Sequence, residues 1–356
     1  MAAANKDSII VVNVDSHGCH TFIVQHNRIT ALELPGLTVE DIKERAKELQ
    51  SYREKSSFQV KPVLEWLWNV IARPCLDAIG LLSQLPLHAA GLHTPGSIET
   101  VLDRVMSSYT PSIKALIHSR RQPVSKSAGL DYALLVAMRE TPDLPVAKKF
   151  LPFTADEVAM LGKLCPSLQL QPVMPERRKD EVLEHLQACK IFHFAGHGES
   201  NPTDPSQSCL LLEDWKTNRL TVGNLLEKRL QENTPFLAYL SACSTGANKA
   251  EGLADEGIHL VSAFQLAGFR HVVGTLWEVS DKPSADVATV FYETLRDEGT
   301  TDVAVFRGLH QAVRALRDGT IKDEMARDAT LVSSSKPRVQ GGMANSHWVP
   351  YIHFGV

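Results

Sequence analysis

The sequence predicts an α/β protein whose second half, from residue 131 onward, forms a doubly wound and mostly parallel sheet. Uninterrupted apolar runs are typical of strands buried on both faces, and such runs occur at residues 132–138, 190–195, 236–241 and 271–277. Helical periodicity fills the intervals, at residues 155–164, 180–188, 252–268, 284–295 and 302–316. Strands that alternate with amphipathic helices indicate βα units and hence a parallel sheet.

The residues before position 131 show a different order of elements. Apolar runs predict short strands at residues 8–14, 21–25 and 29–34. Thr38 is a suitable N-cap for an exposed, charged helix that runs to Lys55. Helices are also predicted at residues 63–82, 97–109 and 111–119, and a polar linker at 120–127. We therefore predict two domains, residues 1–125 and 126–356.

The carboxyl-terminal end has two contrasting parts. Residues 318–346 are polar, rich in Ser and Gly and aperiodic, which predicts a long flexible loop. Apolar residues return at 348–354, so we expect a late strand that docks on the sheet.

The composition is that of an ordinary globular protein and argues against several classes of function. Apolar residues make up 44% and charged residues 22%, and the net charge is −4, so nothing electrostatic favours nucleic acid or a membrane as partner. The cysteines are scattered, and none are spaced as Cys-x-x-Cys, which argues against a disulfide framework or a zinc knuckle. No apolar stretch is long enough for a bilayer span or a signal peptide. We expect a cytoplasmic protein that needs no cofactor and no metal.

Two of the apolar runs stop at a reactive side chain that lies among small residues. His197 follows one run, and Cys243 follows another 46 residues later (243 − 197 = 46). In open α/β sheets, ligands bind beyond the carboxyl ends of the strands, so adjacent strands would bring both residues to one edge. A thiol is a good nucleophile only as thiolate, which a nearby histidine can generate or stabilise. The pair therefore predicts a cysteine–histidine hydrolase.

The residues around this pair predict how it would work. Gly196 and Gly198 remove side chains beside His197, which leaves room for a substrate backbone. We expect the backbone N–H groups of Gly198 and Cys243 to hold the developing oxyanion. His197 would take the thiol proton, Cys243 would attack an acyl carbon, and water would release the acyl enzyme.

Two other chemistries share some of these residues. A cysteine phosphatase loop needs arginine at the position of Lys249. Lysine cannot make the bidentate hydrogen bonds to a phosphate that arginine makes. A metal site built from His193, His197 and Cys209 would lack the helix that places two histidines on one face. We predict instead that His193 and Cys209 belong to the core.

The segments around the pair resemble the CHAT domain, a caspase-like peptidase module that often follows TPR arrays and is grouped with caspases, gingipains and separases. The matching segments are residues 193–198 (HFAGHG), 240–245 (LSACST), 253–256 (LADE), 263–268 (AFQLAG), 274–279 (GTLWEV) and 351–355 (YIHFG). Residues 87–91 (LHAAG) and 107–111 (SSYTP) fit the upstream half, so the resemblance covers roughly residues 60–355. It is greatest with versions from fungal proteins, and the interval between His197 and Cys243 also fits caspases.

The resemblance implies a caspase-like α/β/α sandwich, preceded by a degenerate caspase-like α+β half. It also implies that His197 and Cys243 form the catalytic dyad and that Gly198 is the oxyanion glycine. The TPR helices that often precede the domain are missing from this chain. An activating partner or a TPR sensor module is therefore expected to lie outside it.

Separase-like relatives seat a basic residue of the substrate on an acidic group that follows a Trp-x-Val stretch. Trp277, Glu278, Asp281 and Asp286 occupy that neighbourhood here, which predicts a basic residue before the scissile bond. The alternative is that Asp281 caps the following helix, close to Pro283. Other CHAT proteases prefer apolar residues at this position.

Three hypotheses of function follow from these observations. The first is an endopeptidase that cleaves protein substrates by a Cys–His dyad through a thioester acyl-enzyme. The second is a catalytically silent scaffold that binds partner proteins. The third is a latent peptidase that stays closed until a partner binds, with the loop at 318–346 as a flap or a processing site.

Overall fold

The structure of the chain is a computed structural model. It describes residues 9–24, 29–54, 60–74, 86–93, 98–121, 132–199, 201, 204–228, 230, 235–243, 260–277, 279, 281–321 and 347–356. The predicted linker at 120–127, the predicted loop at 318–346 and the first part of the predicted helix at 252–268 lie largely outside these residues.

The amino-terminal residues form a small antiparallel sheet followed by a long helix. The strands are β1 (Ile9–Asn13), β2 (His20–Val24) and β3 (Ile29–Glu33). Each strand overlaps its predicted apolar run. Helix α1 (Val39–Glu54) follows, and the Thr38 hydroxyl accepts a hydrogen bond from the backbone N–H of Asp41 at 3.0 Å, which confirms the predicted N-cap.

The next segment forms short helical stretches among the described residues. They are α2 (Lys61–Leu67), which continues as a π-helical stretch (Trp68–Ala72), then α3 (Val101–Arg104) and α4 (Ile113–Arg121). The predicted helix over residues 97–109 is wrong beyond the single turn of α3. The chain leaves the helix because Tyr109 pairs with a distant strand, where its N–H donates to the carbonyl of His353 at 2.8 Å.

The central sheet is mostly parallel, as predicted. Its strands are β4 (Tyr132–Ala137), β5 (Gln171–Val173), β6 (Ile191–Glu199), β7 (Cys209–Leu210), β8 (Leu220–Thr221), β9 (Leu237–Cys243), β10 (His271–Thr275) and β11 (Tyr351–Gly355). The order across the sheet is β11-β10-β9-β6-β4-β5, and β7 and β8 form a hairpin on the end of β6. The late strand β11 pairs antiparallel with β10 at the edge, which confirms the expected strand at 348–354.

Helices cover both faces of this sheet. They are α5 (Val146–Lys149), α6 (Thr154–Leu164), α7 (Lys179–Leu186), α8 (Val222–Glu227), α9 (Leu260–Ala267), α10 (Asp281–Glu298) and α11 (Asp302–Arg317). On one face, α9 packs its Phe264 on Phe192 of β6, with ring centroids 5.5 Å apart. On the other face, α10 packs Tyr292 on Tyr239 of β9, with centroids 5.5 Å apart. The architecture is therefore a mixed α/β sandwich.

One hydrophobic core joins the amino-terminal helices to the sheet. It includes Trp68 beside α2, Phe192 on β6, Phe291 on α10 and Trp348 before β11. The predicted domain boundary at residues 125 and 126 lies in a part of the chain outside the described residues and stays a prediction. Among the described helices, none is long and apolar enough to cross a membrane.

Candidate active site

His197 and Cys243 lie side by side on neighbouring parallel strands. β6 and β9 are paired in register from Ile191 and Leu237 to His197 and Cys243. Neighbouring strands are about 4.8 Å apart, so the two residues share the carboxyl edge of the sheet. The adjacency that the sequence analysis expected is therefore present in the backbone. His197 itself is buried, with 7% of its surface exposed.

The strand that carries His197 is longer than predicted. The apolar run ends at Ala195, but β6 continues to Glu199 because the β7–β8 hairpin gives it new partners beyond the end of β4. Gly198 pairs with Leu210 and Glu199 with Cys209 in this hairpin. His197 is thus the seventh residue of a strand and not, as expected, a residue in the loop beyond it.

The backbone of Gly198 is oriented towards β9. The carbonyl of His197 accepts a hydrogen bond from the N–H of Leu211 at 2.9 Å, on the side of the hairpin. Successive residues of an extended strand direct their backbone groups to opposite edges. The N–H of Gly198 therefore faces the edge where β9 ends at Cys243.

Gly196 is a glycine for a reason internal to the protein. A Cβ atom at this position would lie 2.7 Å from Cζ of Phe194 and 2.9 Å from Cβ of Met138. Both distances are shorter than van der Waals contact, so a larger residue would push the strand away from its neighbour. Gly196 therefore has a packing role, and the expectation that it also makes room for a substrate stays a prediction.

A buried polar cluster lies on the same two strands, below His197 and Cys243. Glu157 of α6 is 2% exposed, and its Oε2 accepts a hydrogen bond from the hydroxyl of Ser241 at 3.0 Å. Its Oε1 lies 3.1 Å from Nε2 of His193, at an angle poorer than that of a good hydrogen bond. Ser241 precedes Cys243 by two residues on β9, so one carboxylate contacts both strands of the pair.

His193 belongs to the core, as predicted, but it is not a simple packing residue. Its ring is fully buried and stacks on Tyr239, with centroids 5.1 Å apart. Its Nδ1 lies 3.0 Å from the hydroxyl of Tyr292 on α10. Burial first, and then the nearby Glu157, raise the pKa of the Tyr239 and Tyr292 hydroxyls well above the usual value. Both tyrosines are therefore protonated at neutral pH.

The predicted substrate-pocket residues follow β10, the strand beside β9. Trp277 is 9% exposed and lies two residues beyond the end of β10. Asp281 is the first residue of α10, and Asp286 lies half-buried on that helix. Glu278 lies outside the described residues. Trp277 and Asp281 thus follow the carboxyl end of β10, and the role of all four predicted residues in recognition stays a prediction.

The other described cysteines are buried structural residues. Cys19, Cys165, Cys189 and Cys209 are free thiols. Cys209 packs with Leu211 and Trp215, which confirms its assignment to the core. Burial raises the pKa of the Cys209 thiol to about 11, so this group is a poor nucleophile at neutral pH.

The polar cluster around Glu157 was not predicted from the sequence. The signal that could have found it is the helical stripe of Thr154, Val158 and Leu161, all of which are buried. Glu157 lies on that stripe because residues three and four apart share a helix face. A carboxylate on an apolar stripe must have a buried polar partner.

Comparison with known proteins identifies the family. The protein is an α/β domain with a histidine and a cysteine paired at the carboxyl edge of a mostly parallel sheet. A family model, the CHAT domain, matches residues 61–355. The chain therefore belongs to the CHAT domain family. No curated protein matches it significantly, so its predicted closeness to fungal members stays a prediction.

Solved structures match the chain at low sequence identity. The chain is similar to separase in a separase–securin complex from Saccharomyces cerevisiae, with 11% identity, a TM-score of 0.52 and coverage of 100% of this chain and 30% of that one. It also matches RgpB in a complex of the pro- and mature domains from Porphyromonas gingivalis, with 13% identity, a TM-score of 0.42 and coverage of 68% and 51%. The chain thus spans a third to a half of these proteins. The likeness to separase shows the fold alone.

Proposed function

We propose that the chain is a cysteine endopeptidase that uses Cys243 as nucleophile and His197 as general base and acid. The observation that carries this proposal is the in-register pairing of His197 with Cys243 at the carboxyl ends of β6 and β9. Membership of the CHAT family and the separase-like fold support it. Ligands of parallel α/β sheets bind at this edge.

The proposed reaction has two half-reactions. His197 takes the proton of the Cys243 thiol, and the thiolate attacks the carbonyl carbon of the scissile peptide bond. His197 then protonates the departing amine as the C–N bond breaks, which leaves a thioester. In the second half, His197 takes a proton from water, the hydroxide attacks the thioester, and the thiol is regenerated.

The oxyanion of each tetrahedral intermediate needs hydrogen-bond donors. The N–H of Gly198 faces the β9 edge, as argued from the hydrogen bond between Leu211 and His197. We propose this group and the N–H of Cys243 as the two donors. Such donors each contribute about 3 kcal/mol to stabilisation of the transition state.

Substrate preference is proposed to depend on residues that follow β10. Glu278, Asp281 and Asp286 would attract a basic residue before the scissile bond, and Trp277 would form a wall of that pocket. If Asp281 only caps α10, the preference shifts to apolar residues. Asp286→Asn would then leave the ratio of basic to apolar peptides cleaved unchanged from that of the wild type.

A latent peptidase is the second candidate. It is favoured by the burial of His197, which leaves 7% of its surface exposed. A protein partner or a TPR module outside this chain would then open the site. The free cysteines of the described residues are consistent with the cytoplasmic location that we propose.

The test is a comparison of three proteins on a peptide library derived from a proteome, with cleavage sites identified by mass spectrometry. The proteins are the wild type, Cys243→Ala and the matched control Cys19→Ala, which changes a buried cysteine just before β2. Cleavage by the wild type and the control alone supports the proposal. Cleavage that survives Cys243→Ala contradicts it. Silence of all three folded proteins favours the latent peptidase or the scaffold.

A further inference from the structure

A serine of the upstream segment lies beside a histidine of β11, in a part of the molecule that the proposed dyad does not use. The segment of residues 107–109 runs along β11, where the N–H of Tyr109 donates to the carbonyl of His353 at 2.8 Å. The half-buried Ser108 places its hydroxyl 2.9 Å from Nδ1 of His353 and 3.3 Å from the carbonyl oxygen of Gly355. The hydroxyl is therefore within hydrogen-bond reach of an imidazole.

A second histidine and a carboxylate continue this contact into the sheet. Nε2 of His353 lies 3.1 Å from Nδ1 of His271 on β10, and Nε2 of His271 lies 2.9 Å from Oδ1 of Asp302. Arg270 donates to both carboxylate oxygens of Asp302 at 2.7 Å. Because both oxygens accept from a guanidinium, the carboxylate has no proton to donate, and His271 donates from Nε2. The result is one hydrogen-bonded chain of four side chains: Ser108, His353, His271 and Asp302.

The contacts of this chain fit two arrangements of its protons. In the first, both rings are neutral, and the Ser108 hydroxyl donates to Nδ1 of His353, which donates from Nε2 to His271. In the second, the hydroxyl proton lies on Nδ1 of His353, and the Nε2 proton of His353 has moved to Nδ1 of His271. Each ring nitrogen has a donor or an acceptor opposite it in both arrangements. The proton can therefore leave Ser108 without movement of the heavy atoms.

Asp302 stabilises the charge that this proton transfer creates. Burial lowers the pKa of both histidine rings, whereas Asp302 acts to raise it. A carboxylate acts most strongly on the ring that it contacts, and that ring is His271, where the positive charge ends. A serine hydroxyl, a histidine base and a third group that orients the base are the parts that activate a serine nucleophile.

A narrow cleft between α11 and the residues that follow α3 reaches His353. Its volume is about 30 Å³, which is room for one or two groups the size of a water molecule. Val105 is 39% exposed, so the cleft opens to solvent. The apolar side chains of its walls are Leu102, Val105, Phe306, Leu309, Val313 and Ile352. A short apolar group, such as the methyl group of an acetyl ester, therefore fits beside the imidazole.

We propose that Ser108 is a nucleophile that accepts short acyl groups from esters, with His353 as its general base. His271 and Asp302 position that base. The oxygen of Ser108 attacks the carbonyl carbon of the ester as its proton passes to His353. The bond from that carbon to the alcohol oxygen then breaks, His353 returns the proton to that oxygen, and an acyl-serine is left. Attack of water on the acyl-serine, with the same base, releases the carboxylic acid and restores Ser108.

The experiment uses Cys243→Ala, because this protein lacks the thiol of the proposed dyad. The protein is incubated with p-nitrophenyl acetate, quenched in acid and digested with trypsin, and fragmentation of the peptide of residues 105–114 locates the acetyl group. Ser112 of the same peptide is exposed, and it gives the rate of an ordinary serine. We expect acetylation of Ser108 to be about 100-fold faster than that of Ser112, which is the lower end of what a positioned base contributes.

Further variants, made in Cys243→Ala, test the base and its support. His353→Gln removes the general base and should lower the rate of Ser108 acetylation by about 100-fold. Asp302→Asn places an amide against His271. An amide that donates to Nε2 of His271 moves the ring proton to Nδ1, so His271 no longer accepts a proton from His353. The acetylation rate should fall in Asp302→Asn and be partly retained in Asp302→Glu.

Urea unfolding shows which variants are folded, and only folded proteins are compared. Acetylation of Ser108 that is no faster than that of Ser112 in Cys243→Ala would overturn the proposal, and this comparison needs no change at the serine site. An unchanged rate in folded His353→Gln would overturn it as well. Lower stability with unchanged acetylation in Asp302→Asn would contradict the positioning role of Asp302. Because the assay omits the Cys243 thiol, its outcome does not depend on the proposed peptidase function.

Discussion

Two parts of the sheet contain a buried histidine beside a carboxylate, and they differ in the other partners of that carboxylate. In the outer pair, β10 and β11, Asp302 accepts hydrogen bonds from Arg270 at 2.7 Å and from His271 at 2.9 Å. In the inner pair, β6 and β9, Glu157 has His193 and Ser241 but no described arginine. The outer carboxylate therefore has an arginine as partner, whereas the inner carboxylate has only polar partners among the described residues.

The outer cluster connects distant parts of the chain. Arg270 also donates to the carbonyl of Ser119 on α4 at 2.7 Å, and Nδ1 of His271 lies 3.1 Å from Nε2 of His353. Burial alone would raise the pKa of Asp302, but the hydrogen bonds of Arg270 and His271 hold it well below its usual range. The outer cluster of Arg270, His271 and Asp302 thus has a structural role at one edge of the sheet. Similar residue types lie beside the proposed active site at the centre of the sheet.

The largest expected effect is on catalysis at the inner pair. His197→Ala should lower kcat/KM for a cleaved peptide by about 10⁴-fold, because the base and acid of the reaction is lost. The free energy of unfolding should change by less than about 1 kcal/mol. Peptide kinetics and urea unfolding check both numbers. If stability falls in proportion to activity, His197 has a structural role like that of the outer cluster.

Substitution in the outer cluster should lower stability and leave peptide cleavage unchanged. Asp302→Ala leaves Arg270 without its carboxylate and should lower the free energy of unfolding by about 2–3 kcal/mol, less than for a fully buried pair because Asp302 is partly exposed. Activity per folded molecule should stay near that of the wild type. Urea titration with active-site normalisation measures this. A loss of activity without a loss of stability would contradict the division between the two regions.

Packing beside the dyad should be intolerant of a single methyl group. Gly196→Ala places a Cβ against Phe194 and Met138 and should destabilise the protein by about 1–2 kcal/mol. Thermal and urea unfolding give the value. Gly299→Ala is the control without steric contact, since a Cβ there meets nothing within 4 Å. Its positive φ of +84° adds backbone strain to that variant. Equal stability of Gly196→Ala and the wild type would show that β6 shifts freely.

The smallest effect is the acid sensitivity of the outer pair. Burial and the neighbouring His271 hold the pKa of His353 well below its usual value, and burial lowers that of His271. The contribution of these two histidines to the free energy of unfolding is therefore greatest above about pH 6.5, where histidines of the unfolded chain lose their protons. It decreases as the pH falls below that value, because the unfolded chain then binds protons that the folded chain does not. His353→Gln should reduce the slope of stability against pH by up to about 1.4 kcal/mol per unit. Identical slopes would contradict the neutral, buried state of His353.

Strand positions and the adjacency of the two site residues were predictable because they depend on local pattern. Uninterrupted apolar runs identified β4, β6, β9 and β10, and the rule that parallel strands end at one edge placed His197 near Cys243. The extension of β6 past Ala195 was not predictable, because the small and polar residues there become strand only through pairing with β9 as far as His197 and with β7 beyond it.

The features that were missed depend on contacts distant in sequence. Tyr109 leaves its predicted helix to pair with Phe354, and no local signal near Tyr109 indicates that partner. Glu157 lies on a helix whose one other acidic residue, Asp156, is exposed, and its partner Ser241 lies 84 residues later in the chain. Local periodicity can show that Glu157 faces inward, but it cannot show what it meets.

The central claim is that Cys243 and His197 act as one nucleophilic pair, and labelling by a peptide acyloxymethyl ketone tests it most directly. Such a probe forms a thioether with a nucleophilic cysteine, and mass spectrometry identifies the modified residue. We expect the wild type to be labelled at Cys243, and His197→Ala to be labelled far more slowly while it remains folded. Equal labelling of the two proteins, or labelling at a cysteine other than Cys243, would contradict the account.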